Sequence, residues 1–397
     1  MRAGMQTLLR LLRHEPQTAS VSESEWLAVL TIAEEENLLP WIAAHLIAMA
    51  GQVPDSISRS AAEIRREAQR KAFAWSAALT QMLAAFHRRG IQAISLKGPW
   101  LAQRLYGDAT LRACSDLDFL VRPSDWAAVE DMLRESGFSP LCSRDQRHRH
   151  WHHAGIHIEP HFRLTAPFDV ENMDCEDVWS RAQFSKFGGV PGWLLSPADE
   201  LLFLCIHAAR HCFERLSILL DLSFAFRQLA PPNTADFGGL GSDFKDPLAL
   251  CWMMARRLES PAAHPEMLPH WFTANRRLEK ICDRVWEHCM LHPGTNRNRR
   301  PNHLYCVQLE TPGWRRLRRR TLYTWFIITP HSERDIAFAS RFHLHRNWQI
   351  WMLRPVRLLI KAARLALSRG KDPQGLLLSG STFSKPRIIP SMKGTAS

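Results

Sequence analysis

Apolar residues fall at helical spacing toward both ends of the chain, and at every second position in short runs between them. Ser22-Glu23-Ser24-Glu25 forms a capping box ahead of Trp26-Leu27-Ala28-Val29-Leu30, and Leu38-Leu39-Pro40-Trp41-Ile42 opens another helix. A longer helix is predicted from Ala61 to Arg89, with Leu83 and Phe86 on its inner face and Gly90 ending it. Ile91 to Leu96 then reads as a strand, Trp100 to Tyr106 as a helix and Ser115 to Val121 as a second strand. Ser124 or Asp125 caps a helix that Gly137 terminates, and His148–His153 with Ile156–Phe162 reads as a hairpin around Ala154-Gly155. From Ser196 the pattern is mainly helical, with loops at Pro231–Gly241 and His292–Asn296. The expected class is α+β: a small mixed β-sheet flanked by helical regions. The expected divisions are 1–90 helical, 91–194 the sheet core, 195–368 helical, and 369–397 a mobile tail rich in Gly, Pro, Ser and Lys.

The period-2 runs carry the chemistry. Asp116 and Asp118 share one strand face, while Leu117 and Phe119 share the other. In Ile156-His157-Ile158-Glu159-Pro160, His157 and Glu159 likewise share a face. If these strands are neighbours, three carboxylates converge and repel one another unless a cation lies among them. Mg²⁺, a hard ion that prefers oxygen, is the expected occupant. Just upstream, Lys97-Gly98-Pro99-Trp100 joins a strand to a helix, where backbone N–H groups and the helix dipole suit a phosphate. Lys97 adds a point charge and Arg112 a bidentate donor.

The run Leu96–Asp108 with its Lys-Gly turn and Tyr106-Gly107 pair, then Leu111-Arg112, then Ser115–Val121, resembles the uncharacterised nucleotidyltransferase family of bacteria. That family lies within the polymerase-beta-like nucleotidyltransferase superfamily. Further points of resemblance are Glu159-Pro160-His161-Phe162-Arg163, Leu195–Leu202 followed by His207, His211 and Asp221, and Leu353–Leu358. The resemblance implies the nucleotidyltransferase fold and an NTP substrate, with two Mg²⁺ ions on Asp116, Asp118 and Glu159. Lys97, Gly98 and Arg112 would face the phosphates, and His161 would contact substrate or orient Glu159. Family members often lie beside genes for modified peptides or surface polysaccharides, so a small molecule, peptide or glycan is the expected acceptor. Two departures stand out. Pro99 offers neither the hydroxyl nor the N–H usual after the turn glycine, and Pro160 predicts that its strand lies at an edge or ends there.

A net charge of +12 favours anionic partners: nucleotides, nucleic acid or an anionic membrane surface. The segment Trp314-Arg315-Arg316-Leu317-Arg318-Arg319-Arg320, continuing to Arg357, could bind RNA or DNA or lie on a membrane. Buried tryptophans with solvated arginines are the favoured interpretation there. Arg10 and Arg13 interrupt the first apolar run, so no secretory signal is expected, and no run reaches the roughly 18 apolar residues of a spanning helix. The expected location is cytoplasmic. Nine scattered cysteines without a Cys-x-x-Cys point to reduced, mostly buried thiols. The histidines between His148 and His161 read as alternating strand residues rather than a zinc site, and His207 with His211 as packing residues. The leading reading is transfer of an NMP from the NTP, and three rival readings remain: transfer of a sugar or phosphate at the same site, an accessory protein that binds nucleotide without turnover, and a nucleic-acid-binding enzyme.

Overall fold

A computed structural model describes residues 4–15, 21–49, 51–141, 149–165, 173, 176–211, 213–229, 242–259, 276–291, 356 and 360. The two loops expected at 231–241 and 292–296, the Arg-Trp segment and the tail lie outside the described residues. The chain divides into compact units 1–326 and 327–397, and of the second only Val356 and Ile360 are described, both helical.

The first unit opens with helices α1 (Met5–Leu12), α2 (Glu23–Glu35), α3 (Leu39–Ala48) and α4 (Asp55–Arg88). Ser22 caps α2, accepting the Glu25 N–H as the capping box requires. Gly90, at φ +67°, follows the end of α4. Next come β1 (Ile94–Ser95), α5 (Gly98–Tyr106), β2 (Leu117–Leu120), α6 (Trp126–Glu135) and β3 (Ser139–Leu141). They are followed by β4 (His150–His153), β5 (Ile156–His161), α7 (Glu176–Arg181), β6 (Gln183–Phe187) and β7 (Val190–Leu194). Helices α8 (Pro197–Arg210), α9 (Leu216–Gln228), α10 (Ser242–Leu258) and α11 (Arg276–Leu291) complete the described part. The fold is therefore mixed α+β.

The sheet runs β3-β4-β5-β2-β1-β7-β6, with β2 at its centre. Strands β2 and β5 pair in parallel, as do β1 and β7, while the other neighbours are antiparallel. The β4–β5 hairpin closes through Ala154 (φ +47°) and Gly155 (φ +81°), the two left-handed residues of a tight hairpin turn. One of the two alternatives is corrected here. β5 is an interior strand, not an edge, and it ends at His161, one residue beyond Pro160, which pairs with Phe119. Proline is tolerated because the Arg149 N–H donates to Pro160 O (3.1 Å) at the end of the β4 ladder. Only the return bond from position 160 is forgone.

One sheet face, bearing Leu117, Phe119, Trp151 and Ile158, packs on α4 and α6. On the other face Leu120, with Ile94 and Leu96 of the β1 segment, joins a core built from α1–α3 and α8–α11. Polar ties support this second core. The buried Glu36 carboxylate accepts the Leu216 N–H (2.6 Å) and so caps α9, and Arg13 donates to Arg257 O (2.9 Å) on α10. Gly192 lies where β7 crosses α4 and α5. A Cβ there would come within 2.7 Å of Leu83 Cδ2 and 2.9 Å of the Trp100 ring.

Helices α5 and α8 meet through Arg104 Nη1 and Glu200 Oε2 at 2.5 Å, with Glu200 only 1% exposed. Burial pushes the Glu200 carboxyl up to about 7, against the pull of Arg104 and Arg112. From its ordinary 4.5 to about 7 the folded chain keeps a proton that the unfolded chain releases. This residue's contribution to stability therefore falls as pH rises through that window. Arg104→Met should cost about 3 kcal/mol by stranding a buried carboxylate, with the loss growing from pH 5 to 8. The double variant Arg104→Met/Glu200→Leu should recover most of it and flatten the pH dependence, as read from urea denaturation across that range.

Candidate functional site

Register assembles the site. Asp118 of β2 lies opposite Glu159 of β5, and Leu120 opposite His161. On the other side of β5, Ile158 pairs with Trp151 and His157 with His152 of β4. Because side chains alternate, Asp118, the β5 residues His157, Glu159 and His161, and the β4 residues His150 and His152 share one face. Asp116 sits just before β2, two residues from Asp118, and is half-buried.

Asp118 is the centre. Its side chain is 2% exposed. Oδ1 accepts a hydrogen bond from His161 Nε2 at 2.7 Å. Oδ2 accepts no hydrogen bond of sound geometry, and the Lys97 ammonium stands 3.3 Å from it. One ligand atom each from Asp118, Glu159 and His161 lies within 4.8 Å of the others. Glu159 Oε1 is held by His150 Nδ1 at 2.8 Å, and its Oε2 lies 3.9 Å from His161 Nε2.

The two aspartates are pushed apart in acidity. Burial raises Asp116 to about 6, reinforced by the charges of Asp118 and Glu159 and opposed by Lys97. Burial acts on Asp118 in the same direction, but the Lys97 ammonium and the His161 hydrogen bond outweigh it. They hold Asp118 well below the usual carboxylate range.

The turn before α5 adjoins this face. The Leu96 N–H donates to Asp118 O (3.0 Å), so Lys97 leaves the sheet beside the acid. Gly98 adopts φ +74°, which calls for glycine, and a Cβ there would make a tight contact of 3.2 Å with Leu117 Cδ2. Pro99 follows inside the first helical turn, where its missing N–H would have had no helical partner. Lys97 Nζ lies 5.7 Å from the centroid of the Phe203 ring on α8.

Arg112 is placed differently. Its Nε donates to both carboxylate oxygens of Asp221 on α9, each at 3.0 Å, and Tyr106 OH donates to the same Oδ1 at 2.6 Å. Neither terminal nitrogen of Arg112 has a hydrogen-bond partner among the described residues. Cys114 donates its thiol to Asp116 O (3.2 Å), and burial pushes that thiol up to about 12, so it is no nucleophile at neutral pH. His207 and His211 lie with ring centroids 4.3 Å apart, and His211 Nδ1 contacts Glu214 at 3.1 Å. Asp221 pairs with Arg112 rather than with either histidine. His150 and Phe203 were not singled out as site residues. Counting back along the hairpin from Ala154-Gly155 would have placed His150 opposite Glu159, whereas no local signal marks Phe203.

A divalent cation fits this donor set. The buried Oδ2 of Asp118 accepts no hydrogen bond and faces only the Lys97 ammonium, and Glu159 supplies a second oxygen across the strand pair. His161 spends its Nε2–H on Asp118, because an ionised carboxylate can only accept. In this arrangement the available ligands are oxygens, which favours a hard ion over zinc.

Among solved structures, the antibiotic-resistance factor ANT(2'')-Ia is similar in two determinations. Its solution structure has 12% identity and a TM-score of 0.33, over 46% of this chain and 89% of that one. Its crystal structure with adenylyl-2''-tobramycin has 14% identity and a TM-score of 0.32, over 39% and 88%. A tRNA-processing enzyme in an apo form has 14% identity and a TM-score of 0.22, over 80% and 92%. Likenesses this distant do not bear on the chemistry. Comparison with curated proteins gives no match. The description of the uncharacterised nucleotidyltransferases matches residues 22–237, over half of the chain and all of the sheet. The chain belongs to that family of nucleotidyltransferases.

Proposed function

We propose that the chain transfers a nucleoside monophosphate from an NTP to a hydroxyl of a small-molecule, peptide or glycan acceptor, with Mg²⁺ held by Asp118 and Glu159 and a second ion reaching Asp116. The observation that carries this is the buried Asp118 carboxylate with its unsatisfied Oδ2, set between Lys97 and Glu159. Bound Mg²⁺ would supply charge neutralisation at the triphosphate and a more acidic acceptor hydroxyl.

The protein's own groups do the rest. Lys97 and the N–H groups in the first turn of α5 neutralise the phosphates, with Gly98 letting the backbone come close. Lys97 currently compensates Asp118, so its ammonium can turn toward a phosphate once a cation takes that role. Glu159, with His150 beside its Oε1, would turn Oε2 toward the ion nearer the acceptor, and the acceptor's proton passes to solvent water. The acceptor oxygen then attacks the α-phosphorus, the bond from that phosphorus to the bridging oxygen breaks, and pyrophosphate carries away the electron pair. His161 keeps Asp118 ionised and oriented throughout. Arg112, anchored by Asp221, would present its terminal nitrogens to a phosphate.

Asp118→Asn should lower the thermal melt but still fold, because Lys97 loses the buried carboxylate that faces it. It should lower Mn²⁺ affinity, Mg²⁺–NTP binding and pyrophosphate release by at least about a hundredfold. Undiminished binding and release would overturn the assignment. Nucleotide binding by the unaltered chain, with no pyrophosphate released against any acceptor, would favour the accessory reading instead.

Asp116 gives a second expectation. With its carboxyl near 6, it is protonated below that pH and anionic above it, so cation affinity should rise as pH increases through about 6. Mn²⁺ titrations from pH 5 to 8 should show this rise in the unaltered chain and a flatter profile in Asp116→Asn. The same profile in both would remove Asp116 from the site.

A further inference from the structure

We infer that His150 is a positioning residue for the Glu159 carboxylate, resting on the cation site proposed above. Three strands contribute one residue each to a single row across the sheet: Asp118 on β2, Glu159 on β5 and His150 on β4. The His150 Nδ1 to Glu159 Oε1 distance is 2.8 Å, within hydrogen-bond range, and the carboxylate can only accept, so Nδ1 carries the proton. A free glutamate samples several rotamers of similar energy. The imidazole fastens one oxygen and thereby aims the other toward Asp118 and His161.

The residue type fits the task. A lysine or arginine at position 150 would place a full positive charge on Glu159 and compete with a cation for it. An imidazole donates one N–H without an obligatory charge. His150 is about one third exposed, and its Nδ1 reaches the carboxylate at 2.8 Å. Groups that orient a metal-binding side chain in this way commonly change metal affinity by about 10–100-fold when removed.

Three substitutions separate orientation from mere occupancy. His150→Ala deletes the bond. His150→Asn places an amide N–H where Nδ1 was, whereas His150→Gln places it nearer the position of Nε2. Mn²⁺ binding, followed by electron paramagnetic resonance without nucleotide, should weaken about tenfold in His150→Ala and His150→Gln. It should return to within about threefold of the parent in His150→Asn. In the transfer reaction the loss should lie in the Mg²⁺ requirement rather than in KM for the NTP. If His150→Ala does not fold, the contrast between His150→Asn and His150→Gln still decides. Parental affinity in His150→Ala, or equal affinities in Asn and Gln variants, would overturn the inference. If instead the unaltered chain binds no Mn²⁺, or Asp118→Asn binds it equally well, the cation site itself fails and His150 with it. Loss in Asp118→Asn but not in His150→Ala leaves the site standing and removes only the role of His150.

Discussion

The parallel pairing of β2 with β5 brings two carboxylates onto adjacent strands. Two unit charges within 4.8 Å repel by on the order of 3 kcal/mol at an effective dielectric constant of about 20. Little in a stable fold recommends such a juxtaposition for its own sake. The surrounding groups make it tolerable: Lys97 from the β1–α5 turn faces one oxygen of Asp118, His161 donates to the other, and His150 Nδ1 lies 2.8 Å from Glu159 Oε1. Each comes from a different point of the chain. The charge balance at the centre therefore depends on the whole sheet being correctly assembled.

Helix α5 links that centre to the helical part of the unit. Its first turn lies beside Asp118, while further along Arg104 meets Glu200 and Tyr106 meets Asp221. Phe203 of α8 lies near Lys97 itself. A rearrangement of α8 or α9 would thus be felt at the Lys97-Gly98 turn through contacts with buried charges, which have few alternative arrangements.

Much of this is legible in the amino-acid sequence. Alternation placed Asp118 and Glu159 on the right faces, the capping box at Ser22 marked α2, and Ala154-Gly155 marked the hairpin. Neighbouring strand identity was not legible, since a parallel pair is joined by a crossover and leaves no local trace. The β6–β7 hairpin went unseen because Pro191 and Gly192 dilute its strand signal, although Gly192 is required by close packing against Leu83 and Trp100. Pro160 suggested an edge strand for a related reason. Its effect depends on which neighbour its nitrogen faces, and only the register supplies that. The partner of Arg112, over a hundred residues downstream, lay equally beyond local inference.

The tight turn at Ala154-Gly155 has a consequence out of proportion to its size. It fixes how β4 and β5 slide past one another, and strand side chains alternate strictly. Adding or deleting a single residue there would turn the histidines inward and the isoleucines outward while leaving the composition almost unchanged. The chemistry of this protein is in that sense written in phase, and a two-residue bend keeps the time.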